Sequence, residues 1–191
     1  MQATSPAARP PLAAAARNPR PNWTAPPRVA VAGVGNWLMA EDCVGPRVLD
    51  CVAERYGDAV ERIDLGTGGL TLLDHLRAQD LLIVVDACTG RGAAGQVFLE
   101  EDRPAGEGPR GVSLHQVGPR EALEIAREVA PQSLPARVVW LLVETEGLDE
   151  TGARRAHELA VAEICCLIEG GVRQPSDRRE LQEVDGGRTS G

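Results

Sequence analysis

An α/β fold of three layers (α/β/α), built on a mostly parallel, twisted sheet of about five strands, is what this sequence predicts. Two runs carry the prediction first. Leu81–Val85 (LLIVV) is apolar at every position, and Arg137–Val143 (RVVWLLV) is apolar after its arginine; strands of that kind need cover on both faces. Between such runs lie segments whose apolar residues recur at helical spacing, and strands alternating with helices of this length make a parallel sheet flanked by helices.

The elements follow in order. Arg28–Val34 (RVAVAGV) is a Val-rich run ending at glycines. Val48, Cys51, Val52 and Tyr56 share one face of a helix that Pro46 opens from its first turn. Val60–Asp64 is a short strand ending in a carboxylate, and Leu72, Leu73 and Leu76 mark a shorter helix. After Leu81–Val85, Gln96–Glu100 alternates polar with apolar and suits an exposed edge strand. Ala122, Ile125, Ala126 and Val129 predict the next helix. Following Arg137–Val143, Ala156, Leu159, Ala160, Ile164, Leu167 and Ile168 predict the last.

The 191 residues fit one domain, 28–171, with a tail at either end. Residues 1–27 are rich in Ala and Pro, carry Arg9, Arg17 and Arg20 and no acid. They read as a disordered tail, since the prolines disfavour the amphipathic helix of a transit peptide. Residues 172–191 are polar and lack apolar periodicity, a second tail. Apolar residues make up 43% of the chain and aromatics 3%, so the core must be built of Leu, Val, Ile and Ala.

A net charge of −8 and a pI near 5.0 argue against nucleic acid as a partner, because binding phosphate needs a surplus of Lys and Arg. No apolar run reaches the roughly 18 residues of a membrane helix. Five cysteines without a CxxC pair fit neither a zinc knuckle nor a disulfide scaffold, and the expectation is a reducing cytoplasm.

Three ionisable residues sit just beyond predicted strand ends: Asp42, Asp64 and His115. In a parallel sheet the loops at the carboxyl edge bring together residues far apart in sequence. Two carboxylates and an imidazole facing one crevice would suit a divalent metal of the nickel or zinc type, with coordination positions left open. The bland alternative keeps Asp42 as a helix cap, Asp64 as a turn residue and His115 as a loop histidine. A cysteine nucleophile competes, because Cys43 adjoins Asp42 and Cys88 follows the third strand at the same edge. Gly33-x-Gly35 lacks the third glycine of a dinucleotide turn, where Leu38 stands, and no P-loop sequence occurs. His75 and His157 are expected at the surface of their helices.

At these same residues a family comes into view. Gly33-Val-Gly-Asn-Trp-Leu-Met-Ala-Glu-Asp-Cys-Val-Gly45 resembles the GxGNxLxxDxGxG-type motif of hydrogenase maturation proteases. Ile63-Asp-Leu-Gly-Thr-Gly-Gly-Leu-Thr-Leu-Leu73 is similar to their second motif, Leu82-Ile-Val-Val-Asp86-Ala to their central strand, and Ser113-Leu-His115-Gln116 to their histidine loop. The four stand in the family's order between about Val29 and Ile168. The resemblance implies a single α/β domain with a five-stranded sheet, and an endopeptidase that removes the C-terminal extension of a nickel-iron hydrogenase large-subunit precursor after nickel insertion. It implies that Asp42, Asp64 and His115 contact nickel carried by the substrate rather than held permanently, and that Asp86 supports them. The acidic pair here is Glu41-Asp42, so Glu41 stands as an alternative ligand. Two rivals remain on the same fold: a non-catalytic factor that binds the nickel precursor, and a cysteine-dependent hydrolase.

Overall fold

The computed structural model describes residues 28–39, 42–103 and 117–170. Both expected tails, and with them Glu41 and His115, lie outside the described residues. The elements run β1 (Val29–Val34), α1 (Val44–Tyr56), β2 (Val60–Gly66), a 3₁₀ segment (Leu70–His75), β3 (Leu81–Cys88), β4 (Val97–Glu101), α2 (Pro119–Val129), β5 (Val138–Glu144) and α3 (Glu150–Glu169). The five-stranded sheet has the order β2-β1-β3-β5-β4. All pairings are parallel except that of β4, which lies antiparallel against β5 at the edge.

Alternation along the strands supplies both halves of the core. Val29 and Val31, with Leu81, Ile83 and Val85, face α1 and α3, meeting Val48, Val52, Ala160 and Ile164. Ala30 and Ala32, with Leu82, Val84 and Trp140, face the other way and meet Leu72 and α2's Ala122, Leu123 and Ala126. The LLIVV run therefore reads as unbroken apolar sequence because β3 feeds both clusters. Truncating Ile83, which is wholly buried, to Ala would cost about 2–5 kcal/mol.

Several expected elements shift at their ends. β2 continues to Gly66 and β3 to Cys88, because β1 and β5 go on offering backbone partners there. The Leu-rich helix is a 3₁₀ segment of six residues. Val129, in the last turn of α2, is 71% exposed rather than in the core. Leu159 is also exposed. It stands one residue off the stripe of Ala156, Ala160, Ile164 and Leu167, and helps line a hollow of about 440 Å³ between α3 and β4, with Val97 and Leu99.

This order of strands creates the crevice. From β1 the chain passes through α1 to β2 on one side, then returns past β1 to β3 on the other. The connections leaving the carboxyl ends of β1 and β3 therefore diverge, which is where open α/β sheets bind ligands.

Candidate active site

Asp42 is tied to that edge by close contacts with the backbone leaving β1. Gly35 leaves β1 with φ +133°, a conformation that favours glycine, and a Cβ there would fall 1.9 Å from the Asp42 carbonyl oxygen. The Asn36 N–H donates to that oxygen at 2.9 Å, the Asp42 N–H donates to the Met39 carbonyl at 3.0 Å, and the Asn36 side chain accepts from the Leu38 N–H at 2.9 Å. Immediately afterwards α1 settles on the strand ends. A Cβ at Gly45 would meet the Val34 oxygen at 2.2 Å and the Val85 oxygen at 2.9 Å. The N-cap of α1 is Cys43, so Asp42 is not the cap.

Asp64 lies two residues before the end of β2, opposite Gly33 of β1. It is exposed, and its Oδ1 accepts a hydrogen bond from the Gly66 N–H at 2.9 Å, closing a tight turn over its own backbone. The Gly35 N–H in turn donates to the Gly66 carbonyl at 2.8 Å, tying this turn to the loop that carries Asp42.

Asp86, near the end of the central strand β3, has a different environment. Alternation sets it with Leu82 and Val84 on the α2 side of the sheet. Burial pushes its carboxyl up to about 6. The Ala87 N–H opposes that rise, the negative charge of Asp42 adds to it, and the Arg120 guanidinium works against it. Asp42 and Asp86 therefore form an electrostatic pair across the diverging ends of β1 and β3. Arg120 is held in place from α2: its guanidinium lies 4.0 Å from the centre of the Trp140 ring and pairs with Glu100 at 2.9 Å.

The chain re-enters this edge at Val117. Its carbonyl accepts from the Gly69 N–H at 2.9 Å, and a Cβ on Gly69 would sit 2.0 Å from the Gly118 carbonyl carbon. Glycine is needed at 69 for this close approach.

Glu144, which the sequence reading passed over, ends β5 at the same edge and is 1% exposed. Its carboxylate accepts from the backbone N–H groups of Arg91 (2.7 Å), Gly92 (3.3 Å) and Glu146 (3.1 Å). The Arg91 amide foremost holds its carboxyl below the usual range. The only sequence signal was an acid closing a fully apolar strand.

The two cysteines at this edge, Cys43 and Cys88, have little of a nucleophile about them. Cys43 is buried. Burial, followed by the charge of Glu144, pushes the Cys88 thiol up, away from the thiolate. His157 is half-buried rather than on the surface, with its Nε2 3.2 Å from the Cys51 sulfur. Burial lowers the pKa of His157 and raises that of Cys51, so the two stay neutral. None of the five cysteines is joined in a disulfide. Among the described residues no three His, Cys, Asp or Glu side chains gather to hold a metal, and no helix is long and apolar enough to cross a membrane.

Comparison with known proteins matches this fold to one family. The family model described as hydrogenase maturation protease matches residues 46–171, beginning just after the first glycine motif. A hydrogenase expression/formation protein of Azotobacter chroococcum mcd 1 is 36% identical over 158 residues, covering 76% of this chain and 74% of the relative. Its counterpart in Azotobacter vinelandii is 32% identical over 130 residues, but the match spans only 62% of that relative's length and 66% of this chain. Among solved structures, the hydrogenase maturating endopeptidase of E. coli superposes with a TM-score of 0.61 at 29% identity, covering 75% of this chain and 94% of that one. The chain belongs to the hydrogenase maturation protease family and is by that membership a peptidase.

Proposed function

We propose that the protein removes the C-terminal extension of a nickel-iron hydrogenase large-subunit precursor after nickel insertion, working in the cytoplasm. It recognises the nickel carried by that substrate through Asp42, Asp64 and His115. The observation that carries this reading is the convergence of loops at the ends of β1, β2 and β3, where Gly35, Gly45 and Gly69 lie too close to neighbouring backbone to admit a Cβ. His115 is two residues before Val117, within about 7 Å of chain, and Val117 is hydrogen-bonded to Gly69 on the turn that follows Asp64. Carboxylates and an imidazole suit a borderline divalent cation. With positions left open they hold it weakly, as befits a metal arriving on the substrate.

In this mechanism the nickel is part of the substrate and sets the register. Asp42, Asp64 and His115 hold the precursor by its metal, and the scissile bond lies along the glycine-lined crevice. Water activated at the site attacks the carbonyl, and the amine departs with a proton. Aspartate chemistry is favoured over cysteine chemistry by the burial of Cys43 and the raised pKa of Cys88.

One observation favours a second assignment of the carboxylates. Asp86 is the acid whose carboxyl responds to the charge of Asp42, while Asp64 spends an oxygen on the Gly66 amide. On that assignment Asp86 takes the metal-contacting place and Asp64 shapes the turn beside it. Asp64→Asn and Asp86→Asn separate the two, since only the metal-contacting acid should be needed for nickel preference.

The deciding experiment digests nickel-loaded and nickel-free precursor side by side with metal-stripped enzyme, read by mass spectrometry. A differential of about 3 to 4 kcal/mol would favour the loaded form several hundredfold. Equal cleavage of both would overturn the nickel reading. Precursor that is bound but unchanged in mass would leave a non-catalytic binding factor.

A further inference from the structure

We infer that the apolar tip of the β1–α1 loop, Trp37, Leu38 and Met39, seats a nonpolar stretch of the hydrogenase large-subunit precursor beside the bond to be cut. This rests on Asp42 being a substrate contact. Three consecutive large apolar residues stand in water here, 51%, 92% and 55% exposed. A loop that simply lacked packing would not be tied in this way. Its turn is closed by the Met39 N–H donating to the Asn36 carbonyl at 3.1 Å, by the Asn36 side chain on the Leu38 N–H, and by the two Asp42 backbone bonds. The protein thus holds these side chains outward at the cost of their hydration, which is the usual mark of a surface kept for a partner.

Continuity with the site says which partner. Met39 is three residues from Asp42, about 10 Å of chain at most, so a polypeptide bound at Asp42 has the tip within reach. The end of β2 is bonded to the same loop through Gly66 and Gly35, and the 3₁₀ segment that follows begins with a further exposed apolar residue, Leu70. Asn36 to Met39 carry no charge, so the complementary stretch of the precursor is aliphatic or aromatic rather than ionic. The two recognitions divide the work. The carboxylates and histidine read the metal, whereas the tip supplies affinity indifferent to it.

That division sets the test. With purified nickel-loaded and nickel-free precursor as substrates, Trp37→Ser/Leu38→Ser should raise KM about tenfold or more, with kcat at saturation within about twofold. The ratio by which loaded precursor is preferred should not change. Asp42→Asn, run alongside, should abolish cleavage or that preference; if it does neither, the site reading fails whatever the tip does. Val129→Ser, which removes an exposed apolar side chain from the far end of α2, should leave KM alone. Should the double variant not fold, Leu38→Ser at the most exposed position carries the measurement. An unchanged KM overturns the inference. So does a wild type that self-associates and is made monomeric by these changes with KM unaltered, since a second copy of the chain would then be the occupant.

Discussion

Two carboxylates at one edge of the sheet, Asp86 of β3 and Glu144 of β5, are both withdrawn from water and respond in opposite ways. The strands are neighbours, with Cys88 of β3 in register with Glu144. The Glu144 carboxyl is held below its ordinary range by backbone N–H groups, that of Arg91 first. Asp86 is pushed up to about 6 by burial, with one opposing backbone amide from Ala87. A buried charge is tolerated where hydrogen bonds replace water, and costs free energy where they do not. Glu144 therefore organises the turn at Arg91 and Gly92, while Asp86 keeps an unfavourable charge at the crevice, as residues at functional sites often do.

Breaking that contrast should give the largest effect at Glu144. Glu144→Ala leaves the amides of Arg91, Gly92 and Glu146 without their acceptor, and should lower the unfolding midpoint by several degrees in a thermal melt at neutral pH. An unchanged midpoint would erase the distinction between the two acids.

Asp86→Asn should act in the opposite direction on stability. A carboxyl moved from 3.8 to about 6 costs the fold about 3 kcal/mol once ionised. Because the folded pKa is raised, the favourable contribution is complete below about pH 4 and is lost as pH rises through 6. Urea titrations from pH 4 to 8 should find the variant more stable than wild type at pH 8, with the difference vanishing near pH 4. A variant less stable at pH 8 would mean that Asp86 is satisfied in the same manner as Glu144.

His157 sharpens the contrast with the sign reversed. Its folded pKa is lowered by burial first, then by the Arg47 charge. Its contribution is therefore present above the unfolded value near 6.5 and declines as pH falls below it. His157→Gln should flatten the acid limb of stability between about pH 5 and 7 in the same titrations, by less than the Asp86 effect. The smallest effect belongs to Cys43→Ser, which should leave cleavage of the nickel-loaded precursor within about twofold. Loss of cleavage in a folded Cys43→Ser protein would restore the thiol reading.

Much of this molecule could be read ahead of its structure. The runs LLIVV and RVVWLLV became β3 and β5 in the sheet interior, since only a strand covered on both faces has apolar residues at both parities. The edge strand was legible from its polar alternation. Strand ends were less so: β3 stops at Cys88 rather than Val85 because β5 supplies partners that far, and this carries Asp86 inside the strand. His157 was misplaced because its neighbour Cys51 is 106 residues away in sequence, and no local pattern reports such a contact.

The sequence by itself determined the three layers, the order of elements, and which loops carry acids and glycines, because periodicity and punctuation are local properties of the chain. Tertiary structure alone decided how those acids differ. A carboxylate's charge state depends on the water it loses, the amides it gains and the charges around it: the amides of Arg91 and Gly92 for Glu144, and for Asp86 burial first, then the Ala87 amide and the charges of Asp42 and Arg120.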